Sequence, residues 1–258
     1  MKLALIGDPV SHSRSPAMHA AAGEATGVSL TYEALRVSAH TAEETLRRLH
    51  DEGYAGLNVT VPLKIEVLDA LRADPDAVVD PAAERIGAVN TLVRAGSSWR
   101  GFNTDAPGFV RSLPGELPER VLVLGAGGAA RAVVVGLVDA GVRVRLAARR
   151  FEAAEALAPL GAEPCEWPPA LDEALIVNAT SASLHDGEAF TAQFAWRLSR
   201  GAHVVDLAYG DELAFLQRAA HEGASVQDGK AMLVHQGALA FEAWTGSDAP
   251  LEAMFAAL

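Results

Sequence analysis

A short polar row interrupts an apolar strand pattern in the first quarter of the chain, where residues 56–64 read GLNVTVPLK. Apolar residues alternate with Asn58 and Thr60, which predicts a half-buried strand over residues 56–61 with an amide and a hydroxyl on one face. Lys64 stands just beyond the end of this strand. Two interpretations fit the pattern: a sheet face in water, or a polar site for a small polyhydroxylated ligand.

A glycine-rich turn in the middle of the chain carries a second chemical signature. Gly125, Gly127 and Ala130 form a G-x-G-x-x-A sequence between an apolar strand pattern and a helical one. In the dinucleotide fingerprint these positions allow a tight turn, let the backbone approach a pyrophosphate and let the helix pack closely on the strand. The free amides at the start of that helix would hold the phosphates. The alternative is an ordinary strand–turn–helix corner.

The end of the next predicted strand bears on the choice of nicotinamide cofactor. An acidic residue there would accept hydrogen bonds from the ribose hydroxyls of NAD. At this strand end the chain has no acid until Glu152. It has Arg149 and Arg150 instead, and guanidinium groups suit a 2′-phosphate. This favours NADP, and the alternative is a pair of solvated arginines.

Strand and helix patterns alternate along the whole chain, which predicts an α/β fold with parallel sheets. In the first part we expect strands at residues 2–7, 30–37 and 56–61 and a hairpin that turns at 95–97. We expect three helices there: one that begins at Pro16, one over 41–53 with Thr41 as its cap, and one from Lys64 to about residue 71. In a second unit from about Arg120 we expect a strand, glycine turn and helix over 120–141 and strands at 142–149, 175–180, 202–209 and 224–229. The chain is helical by period from Lys230 onward, so its end can pack back onto the first unit.

The composition excludes several classes of protein. Half of the 258 residues are hydrophobic, which is ample for packed cores, and the net charge of -12 argues against binding to nucleic acid or to an anionic membrane. A single cysteine, Cys165, rules out an intrachain disulfide and fits a reducing compartment. Asp8 and Pro9 interrupt the first apolar run too early for a signal peptide, later runs are too short to span a bilayer, and no spacing of ligands suggests a metal. We expect a cytoplasmic protein without a metal.

Several segments give the chain its resemblance to a known family. They are GDPVSHSRSPAMH, GLNVTVPLK, GAVNTL, GFNTDAPGF, GAGGAARA, NATSASL and DGKAMLVHQGALAFEAWTG. Together and in this order they resemble shikimate dehydrogenase nearly end to end. The resemblance implies reversible, NADPH-dependent reduction of 3-dehydroshikimate to shikimate, a step of chorismate and aromatic amino-acid biosynthesis. It also implies a substrate domain of residues 1–106 onto which residues 232–258 pack back, with an NADP-binding Rossmann domain of residues 107–231 between them.

The resemblance also implies which side chains meet the ligands. The substrate carboxylate would meet Ser13 and Ser15, and the ring hydroxyls and reacting carbonyl would meet Asn58, Thr60, Lys64, Asn90, Asp105 and Gln236, with Tyr209 nearby. The pyrophosphate loop would be Gly125, Ala126, Gly127, Gly128 and Ala129, and the other cofactor contacts Arg149, Arg150, Thr180, Leu207 and Gly229.

Lys64 and Asp105 are implied as the catalytic pair. Hydride delivered to a ketone leaves an alkoxide, and a nearby ammonium both protonates and stabilises it. Asp105 can also accept a hydrogen bond from a ring hydroxyl and so orient the ring. Simpler alternatives exist for other positions: Ser15 as a helix cap before Pro16, and Thr180 as a loop cap.

Two departures from the family pattern and two competing functions accompany this prediction. On either side of Arg149 the chain has Ala148 and Arg150, where the family often has asparagine and threonine. After His19 it has Ala20, where the family often has asparagine. A quinate or quinate/shikimate dehydrogenase that uses NAD is one competing function, and a non-catalytic regulatory module is the other. The expected partners are small molecules, with the protein itself a monomer or a homodimer.

Overall fold

The computed structural model describes residues 1–210 and 212–258 and divides the chain into two compact units. The first unit comprises Met1–Gly108 and Leu233–Leu258, and the second comprises Phe109–Met232. Residues 233–258 therefore belong to the same compact unit as the N-terminal part. No helix in the described part of the chain combines the length and the apolar character that crossing a membrane requires.

The elements follow one another along the chain as alternating strands and helices. The first are β1 (Lys2–Gly7), α1 (Ser15–Thr26), β2 (Thr31–Arg36), α2 (Ala42–Asp51), β3 (Gly56–Val59), α3 (Lys64–Ala73), β4 (Val78–Val79), α4 (Pro81–Ile86), β5 (Thr91–Ala95), β6 (Ser98–Phe102) and α5 (Asp105–Ser112). Then come β7 (Arg120–Leu124), α6 (Gly128–Asp139), β8 (Arg143–Ala147), α7 (Phe151–Glu155), a 3-10 helix (Ala158–Leu160), β9 (Ala162–Cys165), β10 (Ala170–Leu171) and β11 (Leu175–Asn178). The last are α8 (Ala182–His185), α9 (Gly187–Thr191), β12 (Ala195–Trp196), β13 (His203–Asp206), α10 (Ala214–His221), β14 (Ser225–Gln227), α11 (Lys230–Thr245) and α12 (Leu251–Ala256).

The sheet of the first unit has the strand order β2-β1-β3-β5-β6-β4. The pairs β1–β2, β1–β3 and β4–β6 are parallel, whereas β5 runs antiparallel to both β3 and β6. The β5–β6 hairpin turns between Ala95 and Ser98, which confirms the predicted turn. This hairpin adds antiparallel pairs to a sheet whose other pairs are parallel.

The polar strand β3 lies in the middle of this sheet and ends earlier than predicted. All four of its residues are buried, so the expectation of a half-buried strand over residues 56–61 was wrong. One face packs on α11, where a Cβ at Gly56 would overlap the Trp244 ring, and Leu57 belongs to the apolar cluster of the unit. Covering a central strand on both faces removes the exposed face that the alternation suggested. Val61 lies beyond the strand and is 65% exposed.

The start of α2 is capped by a side chain from another helix rather than by its own first residue. The carboxylate of Glu66 in α3 accepts hydrogen bonds from the backbone amides of His40 (2.7 Å) and Ala42 (2.8 Å). Thr41 makes no capping hydrogen bond; its hydroxyl donates to Ser38 O at 2.8 Å. Thr41 thus occupies the cap position that the sequence predicted, but the capping hydrogen bonds come from the charged acceptor Glu66.

The second unit is built on a parallel sheet with the strand order β14-β13-β11-β7-β8-β9. Every pairing in this sheet is parallel, and β7, β8, β11, β13 and β14 are the strands that the sequence predicted. The edge strand β9 was not predicted, because its AEPC sequence carries little strand pattern. The carboxyl ends of β7, β11 and β13 lie side by side at one edge, which is where open parallel sheets place their ligands.

Candidate active site

An ammonium and a carboxylate far apart in the sequence meet in the first unit. Lys64 is the first residue of α3 and Asp105 the first residue of α5. Lys64 Nζ lies 2.6 Å from Asp105 Oδ2, and the two side chains are 14% and 6% exposed. The amide of Asp105 donates to Asn103 Oδ1 (3.1 Å), which fixes the start of α5. The pair is thus an ion pair largely shielded from water, and the charges strengthen the hydrogen bond between them.

Asn90 holds the other oxygen of this carboxylate. Its Nδ2 donates to Asp105 Oδ1 (2.9 Å) and to Thr104 Oγ1 (3.0 Å), and its Oδ1 accepts from the amide of Thr104 (2.7 Å). A backbone amide can only donate, so this last bond fixes which end of the Asn90 side chain is the oxygen. Both oxygens of Asp105 therefore have defined partners.

Gln236 joins the same group of side chains from α11. Its Oε1 lies 3.4 Å from Asn90 Nδ2, and its Nε2 donates to Leu233 O at 2.8 Å. α5 and α11 approach each other closely here, since a Cβ at Gly108 would lie 2.7 Å from the Gln236 backbone nitrogen. The absence of a side chain at Gly108 lets α11 bring the amide to the ion pair.

Asn58 is bound by a residue that the sequence reasoning missed. The hydroxyl of Tyr32 in β2 donates to Asn58 Oδ1 (2.8 Å), while Asn58 Nδ2 donates to Thr91 Oγ1 (3.2 Å) and to Asn90 O (3.3 Å). Burial raises the pKa of Tyr32, and the Ser15 contact opposes this less strongly. The ring of His19 stacks on Tyr32 at 4.5 Å, and burial lowers the pKa of His19 to about 3, against a smaller opposing effect of Asn58.

Ser13 and Thr60 lie at the margin of this network. Ser13 Oγ accepts from the amide of Ser15 at 3.2 Å, and α1 begins at Ser15 with Arg14 in the cap position and no side-chain cap. The alternative of Ser15 as a cap was therefore wrong, and the predicted helix start at Pro16 was one residue late. The Thr60 hydroxyl has no hydrogen-bond partner among the described residues, although its amide donates to Ile6 O.

The glycine turn of the second unit leaves a helix start open for a phosphate. Gly125 has φ +111° and donates to Ala147 O at 2.8 Å, so the turn needs a residue that tolerates the left-handed region. The cap position of α6 is Gly127, with no side-chain acceptor for the first amides, and a Cβ there would meet nothing within 4 Å. Open space above uncapped amides fits a pyrophosphate at residues 125–129. Ala130 is fully buried, as close helix–strand packing requires.

The remaining predicted cofactor residues lie at the carboxyl ends of the strands of the second unit. Arg149 and Arg150 follow β8 and are both exposed. Thr180 follows β11; its amide and hydroxyl donate to Asn178 Oδ1, and its hydroxyl accepts from the amide of Ala182, so the loop-capping role that we considered is present. Leu207 and Tyr209 follow β13, and Gly229 lies between β14 and α11. Tyr209 belongs to the second unit, whereas the other predicted substrate residues belong to the first.

The polar part of this site consists of an ion pair together with amides and hydroxyls. Among residues 1–210 and 212–258, no three histidine, cysteine, aspartate or glutamate side chains are grouped to hold a metal ion. The chemistry present is a proton donor paired with a carboxylate and surrounded by amides and hydroxyls. Such a set is chemically able to hydrogen-bond a hydroxylated ligand and to exchange a proton with one of its oxygens.

Comparison with known proteins agrees with this geometry. The model of the shikimate dehydrogenase substrate binding domain matches residues 5–92, and that of the shikimate 5'-dehydrogenase C-terminal domain matches residues 231–258. Shikimate dehydrogenase (NADP(+)) of Anaeromyxobacter dehalogenans strain 2CP-1 is 43% identical over 98% of this chain and 94% of that protein. The chain belongs to the shikimate dehydrogenase family. The resemblance predicted from the sequence is confirmed.

Solved structures extend the family relationship to the fold. Shikimate 5-dehydrogenase of Thermus thermophilus, in complex with NADP(H) and shikimate, superposes with a TM-score of 0.85 at 39% identity and covers 100% of this chain and 98% of that one. A ligand-free 5-ketofructose reductase of Gluconobacter sp. strain CHM43 gives a TM-score of 0.84 at 28% identity, covering 100% and 97%. The predicted combination of a substrate domain and a Rossmann-like domain, characteristic of shikimate dehydrogenases, is confirmed.

Proposed function

We propose that this shikimate dehydrogenase family member catalyses the reversible, NADPH-dependent reduction of 3-dehydroshikimate to shikimate in aromatic amino-acid biosynthesis. The observation that carries the proposal is the 2.6 Å contact between Lys64 and Asp105, set among Asn58, Asn90 and Gln236 in one unit. A binding or regulatory module would need the amides and hydroxyls but not a shielded ammonium with a carboxylate partner.

In the proposed reaction Lys64 is the proton donor. Its Nζ holds the proton that passes to the carbonyl oxygen as negative charge develops there, and general acid catalysis of this kind contributes about 10²–10⁴-fold. Asp105 orients the ammonium through Oδ2 and is itself oriented by Asn90, so little reorganisation is needed when a ligand binds. In the oxidation direction the same nitrogen receives the proton.

The other side chains of the first unit bind the rest of the substrate. Hydroxyls of Ser13 and Ser15 would hold the carboxylate, and Asn58 and Thr60 the ring hydroxyls. Tyr209 of the second unit is also assigned to the substrate. We assign residues 1–106 and 232–258 to the substrate domain and residues 107–231 to the NADP domain, and we place the enzyme in the cytoplasm as a monomer or homodimer.

The second unit would hold NADP through residues that fit it. When bound, the reduced nicotinamide supplies the hydride. The uncapped amides of residues 125–129 would hold the pyrophosphate, the exposed guanidinium groups of Arg149 and Arg150 the 2′-phosphate, and Thr180, Leu207 and Gly229 the nicotinamide end.

The experiment is a spectrophotometric assay of the purified full chain with shikimate and NADP⁺, following the appearance of the reduced nicotinamide. Parallel assays with quinate and NAD⁺ test the competing dehydrogenase, and 5-ketofructose with NADPH is included because of the similarity to the Gluconobacter reductase. Efficient turnover of shikimate with NADP⁺ supports the proposal. Faster turnover of quinate with NAD⁺, or of 5-ketofructose, would replace it, and no turnover at all would favour the regulatory module.

The choice of NADP has its own test in a matched pair of arginine variants. Arg149 follows the carboxyl end of β8, whereas Arg143 begins the same strand and pairs with Glu119. Arg149→Ala should lower the ratio of kcat/KM with NADPH to that with NADH, because a charge-assisted bond to the 2′-phosphate is lost. Arg143→Ala should leave the ratio unchanged. An unchanged ratio in Arg149→Ala would remove this arginine from the cofactor site.

A further inference from the structure

A carboxylate is fully buried at the carboxyl end of β13, where the proposed reaction does not use it. Asp206 is 0% exposed, and both of its oxygens accept hydrogen bonds from the second unit. Oδ1 accepts from the amide of Ala208 at 2.9 Å, and Oδ2 accepts from Asn178 Nδ2 at 2.8 Å. Asn178 is the direct partner of Asp206 in the register of β11 with β13. The carboxylate therefore joins the last residues of two neighbouring strands.

Asn178 passes this connection on to the loop that follows β11. Its Oδ1 accepts from the amide of Thr180 (3.1 Å) and from the Thr180 hydroxyl (2.7 Å). The amide of Thr180 can only donate, so the Asn178 oxygen must face Thr180 and its nitrogen must face Asp206. Asp206 thereby fixes the orientation of Asn178, and Asn178 fixes the position of Thr180.

The loops next to Asn178 and Asp206 also contact one another through their backbones. The amide of Leu207 donates to Asn178 O at 2.9 Å, and the amide of Gly229 donates to Ala208 O at 2.9 Å. Gly229 packs so closely on Leu207 O that a Cβ would overlap that oxygen. On the other side, a Cβ at Gly125 would lie 2.9 Å from the Thr180 methyl group. The loops after β7, β11, β13 and β14 are thus packed together around one hydrogen-bonded pair.

A buried carboxylate is a costly way to stabilise a core. Burial raises the pKa of Asp206, which measures the cost of keeping the charge away from water, while Asn178, Ala208 and Ser183 offset part of it. Well-packed apolar residues would stabilise the fold at least as well. What an apolar residue cannot do is hold two donors from two loops in a fixed arrangement.

We propose that Asp206 is a positioning residue for the nicotinamide cofactor, which acts through Asn178 to hold the Thr180 loop and the Leu207–Gly229 contact in the arrangement that binds NADP. The inference rests on the proposed function, because it concerns the cofactor assigned there. It adds a role for two residues, Asp206 and Asn178, that contact the binding loops rather than the ligand.

The test exchanges the two side chains. In Asp206→Asn one of the two carboxylate oxygens is replaced by an NH₂ group, which cannot accept a hydrogen bond from a donor. Either the amide of Ala208 or the side chain of Asn178 therefore loses its acceptor. The double variant Asn178→Asp/Asp206→Asn restores the pattern: the new amide donates to the new carboxylate and accepts from Ala208, and the carboxylate accepts from Thr180. The total charge is the same as in the wild type.

The measurement is calorimetric titration of the full-length protein with NADP⁺ alone, together with thermal unfolding. Asp206→Asn should raise the Kd for NADP⁺ by about tenfold or more, because a hydrogen bond to the charged carboxylate that positions the binding loops is lost. The exchange variant should recover most of this loss. The control is Glu173→Gln, a buried carboxylate near the amino end of β11 that accepts from Arg145 and Arg120.

The control separates positioning from general stability. Glu173→Gln should lower the unfolding temperature but change the Kd by less than about twofold, because it is remote from the loops. An unchanged Kd in Asp206→Asn, or an exchange variant that folds like the wild type yet binds NADP⁺ as weakly as Asp206→Asn, overturns the inference alone. If Asp206→Asn does not fold, the exchange variant decides by binding NADP⁺ like the wild type or about tenfold more weakly. A wild type that binds no NADP⁺ overturns the proposed function as well.

Discussion

Replacement of Lys64 by alanine is the perturbation that tests the proposed chemistry most directly. The variant removes the ammonium and leaves Asp105 with Asn90 as its hydrogen-bond partner. If Lys64 is the proton donor, kcat should fall by about 10²–10⁴-fold, the usual contribution of a positioned general acid. At about 1.36 kcal/mol for each factor of ten, this corresponds to roughly 3–5 kcal/mol of transition-state stabilisation.

The effect on substrate binding should be smaller. In the ground state the Lys64 ammonium offers one hydrogen bond to a carbonyl or hydroxyl, and a hydrogen bond that involves a charged group is worth about 1.5–3 kcal/mol. The KM for shikimate should therefore rise by about 10–100-fold. The excess of the kcat effect over the KM effect distinguishes a residue that acts in the transition state from one that only binds.

Loss of the ion pair also affects the fold, and this effect must be measured separately. Removing one partner of a buried pair costs up to about 3–5 kcal/mol, but Asp105 keeps its bond to Asn90 and lies in the first turn of α5, so we expect the lower end. Denaturant unfolding of Lys64→Ala and of Lys2→Ala provides the comparison. Lys2 lies 3.9 Å from Glu52 with 39% of its side chain exposed, and its variant should keep full activity.

The assay is steady-state turnover of shikimate with NADP⁺ at saturating concentrations of both. A Lys64→Ala variant that is folded and retains the wild-type kcat would refute the assignment of Lys64 as proton donor. A variant whose KM rises more than its kcat falls would make Lys64 a binding residue.

The remaining predictions concern stability, pH and the glycine turn. Glu66→Ala should destabilise the protein by about 1–2 kcal/mol because two amides at the start of α2 lose their acceptor. Asp69→Ala, at an exposed position of the same helix, should cost under about 0.5 kcal/mol, and urea unfolding checks both. His19 has a folded pKa near 3 and a reference value of 6.5, so the unfolded chain binds its proton first on acidification. Stability should fall by up to about 1.4 kcal/mol for each pH unit from 6.5 down to 3, and His19→Gln should show a shallower slope in pH-dependent unfolding. Gly125→Ala should unfold at lower temperature because φ is +111° there, whereas Gly127→Ala should unfold normally but bind NADP⁺ more weakly in calorimetry, because its Cβ enters open space at the phosphate site. Equal unfolding temperatures for the two glycine variants would contradict this division.

Local sequence patterns were sufficient to predict most of the strands, but not which other elements pack against them. The alternation around Asn58 predicts a half-exposed strand, yet β3 is buried on both sides because α11, near the C-terminus, packs on Gly56. Similarly, the cap of α2 comes from Glu66, which lies 24 residues beyond Ala42. A pattern within about ten residues contains no information about such distant partners. β9 was missed for a different reason, since its own AEPC sequence carries little strand pattern.

The residue types of the site were predictable, but their supports were not. Lys64, Asp105, Asn90, Asn58 and Gln236 were all named from the sequence, and the structure brings them into one network. Tyr32 was missed because it lies in an ordinary strand segment and acquires its role only when β2 is placed two strands from β3. The signal that could have found it is a lone hydroxyl in a strand near a polar one, which must find a partner once buried.

The hydrogen-bond saturation of Asn90 limits what this residue can do in the site. Its two amide hydrogens already face Thr104, Asp105 and Gln236, and its oxygen accepts from Thr104 and Thr91. A ligand hydroxyl can therefore reach Asn90 only by displacing one of these partners, and the longest contact, 3.4 Å to Gln236, is the one that yields most easily. The hydroxyl of Thr60, by contrast, has no hydrogen-bond partner among the described residues. In the proposed function Asn90 would therefore act mainly by fixing the Asp105 carboxylate that orients Lys64, and Thr60 would be the group free to meet the substrate directly.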